Sequence, residues 1–206
     1  MVRKLLPSIL VGIFIIAAIL VAWPISANII GADWKFTFRP ALLTLVSGKN
    51  PYSVDQFFIA PWGIIPFIPF IWLPDGLAMA ILRVGGLICY AIVAIRLGAR
   101  PLGTAFILLS PQILHNLING NIDWLCLLGF VLPPQIGLFF VLIKPQIGVC
   151  LAIFWAVDAI KQKKIIRTFA PFLIVFLVSL GVFGLWPLRF STVQADETKS
   201  SCAQAH

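Results

Sequence analysis

Asp33 is the residue whose type and position most directly suggest chemistry. It follows the first long apolar run, Leu5 to Trp23, and lies in the first polar stretch of the chain. A carboxylate just beyond a membrane span can act as a general base when it lies within hydrogen-bonding reach of a hydroxyl. A solvated loop acid or a helix cap has the same appearance in a sequence, and the pattern leaves both interpretations open.

Lys144 is the second candidate, because it lies between two apolar runs where a charged side chain is costly. Its partner would be a lipid phosphate or a carboxylate. A lysine that extends its amine toward water at the membrane interface is the alternative. Arg83 poses the same question inside the next apolar run: it could meet a lipid phosphate, pair with Asp75 or Asp123, or extend to the outer face.

A polar cluster from His115 to Asp123 contains the turn sequence Asn119-Gly120-Asn121. Asn and Gly accept left-handed backbone angles, so the triplet predicts a turn. His115 is interpreted as a polar residue at a helix end, since the one other histidine is His206 and a zinc site needs several ligands. The cysteines show no CxxC spacing, and we expect no metal and no cofactor.

Composition identifies the kind of protein that must position these residues. The 206 residues are 61% hydrophobic and 11% charged, with a mean hydropathy of +1.04. A soluble domain is excluded, because such domains carry roughly 25% charged residues. The net charge of +8 comes from basic residues placed between apolar runs. That pattern indicates membrane topology and gives no reason to expect a nucleic acid partner.

The apolar runs predict an all-α, polytopic membrane protein with about five to seven membrane helices. Arg3 and Lys4 place the N-terminus in the cytoplasm. Residues 1–186 form the membrane domain, residues 24–75 form an external loop, and residues 187–206 form a polar tail predicted to be disordered. The predicted spans and segments, in chain order, are Leu5–Trp23, an interfacial helix Phe36–Val46, an interfacial or re-entrant segment Pro61–Pro74, Gly76–Leu97, Pro101–Ile118, Trp124–Ile143 as one kinked span or a helical hairpin, Gln146–Ile160 and Phe169–Trp186.

Five short motifs occur in an ordered series: Asp33-Trp34, Gly48-Lys49-Asn50-Pro51-Tyr52, the proline-rich segment 61–74, Asn119-Gly120-Asn121 and Lys144-Pro145-Gln146. This series resembles the N-terminal half of glycosyltransferase family 87, which has the GT-C architecture. The family resembles the bacterial mannosyltransferases that use polyprenol-phosphate mannose. Where the family has Tyr-Pro-Pro, this chain has Ala60-Pro61-Trp62.

The resemblance implies a function and a site. It implies transfer of a hexose, mannose above all, from a polyprenyl-phosphate donor to an acceptor hydroxyl outside the plasma (inner) membrane, in synthesis of the cell envelope. Asp33 would be the general base. The substrate-binding residues would be Arg39, Asn50, Tyr52, Asn119, Asn121, Asp123, Lys144 and Gln146.

The resemblance covers residues 5–167 and implies two alternatives. Family members are longer, so the chain is either a minimal enzyme or a relative that keeps the lipid-binding half and needs a partner chain to complete the fold. Membrane lipids and the polyprenyl-phosphate donor are the expected partners in the first case. In the second case the protein is a lipid-binding membrane protein or a scaffold without catalytic activity.

Overall fold

The computed structural model describes the backbone of residues 2–188 and the side chains of residues 14–188, and every regular element in that range is helical. Short 3-10 turns occupy Pro51–Ser53, Gly129–Val131 and Trp186–Leu188. The predicted tail falls almost wholly outside the described residues. The longer helices are α1 (Val2–Asn28), α2 (Asp33–Val46), α3 (Pro61–Trp72), α4 (Asp75–Arg96), α5 (Pro101–Leu108), α6 (Pro111–Asn119), α7 (Asp123–Leu128), α8 (Pro134–Val141), α9 (Pro145–Lys161) and α10 (Ile165–Phe183).

Two of the described helices, α4 and α10, are long and apolar enough to cross a membrane. The described part of α1 with α2, and α5 with α6, pass the same test only as bent pairs, with bends of 80° and 53°. The all-helical class is therefore confirmed, and the described residues supply two to four candidate spans. The larger number of five to seven stays a prediction.

The predicted interfacial segments are helical and short. α2 begins at Asp33, three residues before the predicted start, and its first six residues, Asp33–Phe38, form a π-helix. α3 changes from α-helix to 3-10 helix at Ile65 and contains Pro69. Its 12 residues are too few for a span of roughly 20. The Trp62 indole N–H donates to the Phe139 carbonyl at 2.8 Å, which fixes α3 against α8.

The predicted third span is broken, because Pro111 starts a new helix after Leu108. The structure also distinguishes the two alternatives for residues 124–143. α7 and α8 are separate helices that fold against each other. A Cβ atom on Gly129 would lie 2.8 Å from the Gly137 carbonyl oxygen, so the two helices approach backbone to backbone. This segment is a helical hairpin.

The described residues contain two apolar cores. The larger one is formed mainly by α2, α3, α4 and the connections between them, with Trp34, Leu42, Phe57, Ile64 and Met79 among its buried side chains, and α7 adds Cys126. The end of the described chain joins this core, because Trp186 stacks on Tyr52 with ring centroids 5.8 Å apart. The segment between α1 and α4 is thus packed against the longer helices.

Arg83 of α4 connects three helices. Its guanidinium donates to the Ser26 hydroxyl of α1 at 2.7 Å and to the Ile29 carbonyl just beyond α1 at 2.6 Å. It also donates to the carbonyls of Leu117 and Ile118 in the last turn of α6, at 3.1 and 3.0 Å. Carbonyls at helix C-termini lack helical partners and favour a cation. Arg83 therefore binds mainly backbone carbonyls, and among the described residues it forms no ion pair with Asp75 or Asp123, which was one of the open alternatives.

We expect Arg83→Met to lower the free energy of unfolding by about 3 kcal/mol, because hydrogen bonds to a charged group are strong and their removal leaves carbonyls unpaired. Arg83→Lys restores one donor group and should recover part of the loss. The measurement is equilibrium unfolding of the detergent-solubilised protein. Arg96→Met, at the exposed end of the same helix, is the control and should change stability by less than about 0.5 kcal/mol. Equal effects at positions 83 and 96 would contradict this role.

Candidate functional site

Three predicted residues from three segments meet at one hydrogen-bonded cluster. Asn121 lies in the turn after α6, Asp123 begins α7, and Lys144 immediately precedes α9. The Lys144 Nζ donates to Asn121 Oδ1 at 2.6 Å and to Asp123 Oδ1 at 2.5 Å. The Asp123 backbone N–H donates to the same Asn121 oxygen at 3.2 Å. The amide oxygen of Asn121 therefore accepts two hydrogen bonds, one from Lys144 and one from the Asp123 backbone.

Asp33 lies near this cluster. Gly31, two residues before Asp33, packs against the backbone of Asn119, two residues before Asn121. The charges of Lys144 and Asp123 both act on the Asp33 carboxyl. The structure thus brings the predicted base and the predicted cation into one neighbourhood.

Burial raises the pKa of the half-buried Asp33 carboxyl above its ordinary value. The positive charge of Lys144 and the hydrogen bond from Asn121 oppose this rise in pKa, since both favour the ionised form. Asp123 adds to the rise and His115 opposes it. The site therefore holds a carboxyl with increased proton affinity beside a cation, as a general base requires.

Two glycines explain how these distant segments meet. Gly120 ends α6 with a left-handed φ of 73°, and a Cβ atom there would lie 2.8 Å from the Met79 sulfur. Gly31, two residues before Asp33, lies against the carbonyl of Asn119, where a Cβ atom would overlap the backbone at 2.2 Å. The sequence Asn119-Gly120-Asn121 is therefore a turn, as predicted, and the turn packs directly on the segment that carries Asp33.

Lys144 and Asp123 form a mostly buried ion pair, with 12% and 18% of their side chains exposed. A carboxylate was one of the two predicted partners for Lys144. The alternative of a lysine extended into water is wrong, because its amine is held by two oxygen acceptors. An ammonium group carries three N–H donors, and these two contacts leave a third for another ligand.

Arg39 pairs with a different carboxylate. Its Nε lies 3.0 Å from Asp75 Oδ1, but the N–H direction does not meet hydrogen-bond geometry, so the contact is an ion pair only. The Trp34 indole N–H donates to the same oxygen at 3.0 Å. The described contacts thus place Arg39 with Asp75 and Trp34, whereas the charge of Lys144 acts on Asp33.

Asn50 and Tyr52 stabilise the external loop. The Asn50 side chain accepts from the Tyr52 backbone N–H at 3.0 Å and caps the 3-10 turn, and its NH₂ donates to the Phe183 carbonyl at 3.4 Å. The Tyr52 hydroxyl is buried and donates to the Ile59 carbonyl at 2.7 Å. These contacts fold the loop onto the end of α10, which is a structural role different from the predicted contact with substrate.

The remaining predicted residues border the cluster. Asn119 Nδ2 lies 3.0 Å from His115 Nε2, one helical turn earlier in α6. Gln146 is exposed in the first turn of α9, two residues after Lys144. His115 was not predicted as a site residue, yet its charge acts on Asp33. Its spacing of four from Asn119 was the available signal, since residues so spaced share a helix face. Among the described residues, no group of three or more His, Cys, Asp or Glu side chains could hold a metal ion.

A cavity of about 320 Å³ lies between Asp123 and the C-terminal half of α4. Its walls come from α4, α5, α6, α7 and α9, and they are almost wholly apolar. Asn116 and Tyr90 supply a polar pair in the wall, with Asn116 Nδ2 donating to the Tyr90 hydroxyl at 3.2 Å. A mostly apolar cavity with one carboxylate in its wall suits an elongated apolar ligand.

Fold and site together define an all-helical protein whose apolar helices are suited to a membrane and carry a carboxylate–amide–lysine cluster. Comparison of the chain with protein-family models, curated proteins and solved structures gives no match. The interpretation of the site therefore depends on its own residues and contacts.

Gly31→Ala should displace the turn that carries Asn121, because the added methyl group would overlap the Asn119 backbone. Overpacking of this kind costs about 1–3 kcal/mol of folding stability. Thermal unfolding in detergent measures the loss. Gly85→Ala is the matched control, since a Cβ atom there meets nothing within 4 Å and alanine favours the helix. If Gly31→Ala were as stable as Gly85→Ala, the close approach of the two segments would be refuted.

Asp33→Asn should raise the free energy of unfolding at neutral pH. Folding raises the pKa of Asp33, so the folded wild type resists ionisation of this carboxyl. As the pH rises from the ordinary carboxyl pKa through the pKa of the folded protein, the wild type therefore loses stability relative to the variant. The advantage of the variant should therefore vanish in acid. Asp123→Asn is the contrasting variant, and it should lower stability by about 2 kcal/mol because it leaves the Lys144 amine without its carboxylate. Denaturant unfolding across pH checks both, and destabilisation by Asp33→Asn at neutral pH would contradict the first.

Proposed function

We propose that the protein is a membrane glycosyltransferase that transfers a hexose, mannose above all, from a polyprenyl-phosphate donor to an acceptor hydroxyl at the extracytoplasmic face. The observation that carries this proposal is the packing of the Asp33 segment, through Gly31, on the turn whose Asn121 binds the Lys144 amine. A base for the acceptor and a cation for the leaving phosphate are the two groups that such a transfer needs.

The reaction uses Asp33 and Lys144. Asp33 accepts the proton of the acceptor hydroxyl, and the oxygen of that hydroxyl attacks the anomeric carbon. The bond from that carbon to the phosphate oxygen breaks, and the phosphate leaves with the electron pair. The remaining N–H donor of Lys144 stabilises the charge that develops on the phosphate. Attack from the face opposite the leaving group inverts the configuration, and no step of this mechanism requires a cofactor.

The cavity below Asp123 supports a lipid donor. Its mostly apolar wall, which includes Asp123 of the ion pair, suits the hydrocarbon chain of such a donor. A volume of about 320 Å³ accommodates part of a polyprenyl chain, and the remainder would lie along lipid-facing helices. Membrane lipids would surround α4 and α10.

The proposed orientation follows from charge. Asp75 begins α4 and Arg96 ends it, followed by Arg100. Arginine and lysine are more frequent on the cytoplasmic side of membrane proteins. We therefore propose that the end of α4 lies inside and the cluster lies outside. Arg3 and Lys4 give a cytoplasmic N-terminus by the same rule. We propose a multi-pass protein of the plasma (inner) membrane with its site facing outward.

A non-enzymatic lipid-binding membrane protein is the second candidate function, and a specific observation favours it. Lys144 already has a carboxylate partner, and Asn50 and Tyr52 act within the loop. A cluster whose members satisfy one another can be structural. In this case the chain would bind lipid in the cavity and assemble with a partner chain that supplies the catalytic groups.

The decisive assay is transfer of labelled mannose from a polyprenyl-phosphate donor by the purified protein in vesicles. Asp33→Asn should reduce the rate by about 100-fold to 10,000-fold, the contribution of a general base. Asp55→Asn, which removes an exposed carboxyl from the same loop, is the matched control and should leave the rate unchanged. Lys144→Gln should also reduce transfer, through the leaving phosphate. Donor binding without transfer by the wild type would favour the lipid-binding function.

A further inference from the structure

Two membrane helices have one end at the larger apolar core and the other end away from it. α4 begins at this core, to which Ala78 and Met79 belong. α10 ends at it, because the Phe183 carbonyl accepts from Asn50 at 3.4 Å and the Phe183 ring packs edge-to-face on Tyr52. Their 22 and 19 residues extend about 33 and 28 Å, against a hydrocarbon core of about 30 Å. In a membrane that both helices cross, the end of α4 and the start of α10 therefore emerge at the same surface.

Exposed basic residues occupy these two ends. They belong to the last turn of α4 and the residues just beyond it, and to the seven residues where α9 ends and α10 begins. We call them the basic face: Arg96, Arg100, Lys161, Lys163, Lys164 and Arg167. None of the six forms an ion pair within the described part of the chain. The one carboxylate of these segments, Asp158, accepts from the Gln162 amide at 2.7 Å. The basic face therefore carries an uncompensated positive charge.

Helix stability does not account for the whole of this charge. A cation stabilises the C-terminus of a helix, and Arg96 and Lys161 hold such positions in α4 and α9. Lys164 and Arg167 lie at the start of α10, where the helix dipole disfavours a cation. The first turn of α10 has no acidic residue, and no side chain caps it among the described contacts. This end of α10 therefore favours an anion from outside the chain.

Exposed apolar side chains are interleaved with the basic residues. Ile160 and Ile166 flank the lysines with 62% and 79% of their surface exposed, and Leu97 lies between the two arginines with 64% exposed. At a bilayer surface such apolar side chains enter the hydrocarbon, while the long side chains of lysine and arginine extend to the headgroups. A nucleic acid would pair with the charges but leave the apolar side chains in water. The pattern therefore favours a lipid surface.

We propose that the basic face binds the phosphate groups of anionic phospholipids, with Lys161, Lys163, Lys164 and Arg167 as its main part and the two arginines after α4 as its extension. Clusters of this size next to a membrane helix attract anionic headgroups, by about fivefold in binding constant for each basic residue. The lipid would compensate the charge at the start of α10 and hold this end of the helix at the membrane surface. This inference does not depend on the proposed transfer.

Lipid titration of the full chain in detergent, followed by native mass spectrometry, tests the proposal. Phosphatidylglycerol is compared with phosphatidylcholine of the same acyl chains. Lys161→Gln/Arg167→Gln removes two charges whose side chains form no hydrogen bond or ion pair in the described structure. We expect this double variant to bind phosphatidylglycerol about 25-fold more weakly than the wild type and phosphatidylcholine equally well.

The matched control removes the same charge elsewhere. Lys35→Gln/Lys49→Gln takes two exposed basic residues from the segment between α1 and α4, and should change phosphatidylglycerol binding by less than about twofold. Equal weakening in the two double variants would show an effect of net charge alone and overturn the assignment to the basic face. Thermal unfolding without lipid verifies that each variant folds, and Arg96→Gln/Arg100→Gln serves if the first variant does not.

Two further arms test the chemistry of the ligand. Equal binding of phosphatidylglycerol and phosphatidylcholine by the wild type would overturn the preference for an anionic headgroup. Displacement of phosphatidylglycerol by an oligonucleotide at equal concentration would show a polyanion site and overturn the lipid surface. A higher ionic strength should weaken phosphatidylglycerol binding, because salt screens exposed charges. No arm measures transfer, so failure of the proposed function would leave these results unchanged.

Discussion

The contacts of one arginine hold together the elements on which the site depends. Arg83 donates four hydrogen bonds to the ends of α1 and α6, and those two ends continue directly into the segments that carry Asp33 and Asn121. A cation at two helix C-termini compensates unpaired carbonyls and their partial negative charge. Without it, the end of α1 would lose its two hydrogen bonds from α4, and the close approach of Gly31 to Asn119 would lose this support.

The cluster combines a destabilising element with stabilising neighbours. Burial of the Asp33 carboxyl disfavours its charged form, while Asn121 and Lys144 favour it. The mostly buried pair of Lys144 and Asp123 supplies the cation without leaving an isolated buried charge. Such opposition is typical of sites where reactivity matters more than stability. A purely structural network would gain more stability from an amide or a hydroxyl at position 33.

The sequence predicts the elements better than it predicts their contacts. The bounds of α4 differ from the predicted span by one residue at each end, because a long apolar run between charged residues defines a membrane helix. Lys144 could be selected because a lysine among apolar residues is costly. The partners of Arg83 could not be predicted, since they are backbone carbonyls that every residue carries. The proximity of Asp33 to the turn that carries Asn121 likewise depends on the contact of Gly31 with Asn119, which no local pattern encodes.

Lys144 is held by two partners and has a further N–H donor. Its amine contacts a carboxylate and an amide, and one N–H donor remains for an incoming oxygen. A phosphate that takes this donor need not displace Asp123, so the lysine need not lose a partner when the phosphate departs. The Lys144 amine thus combines two fixed partners with one further donor, which is the arrangement that the proposed transfer needs at its leaving phosphate.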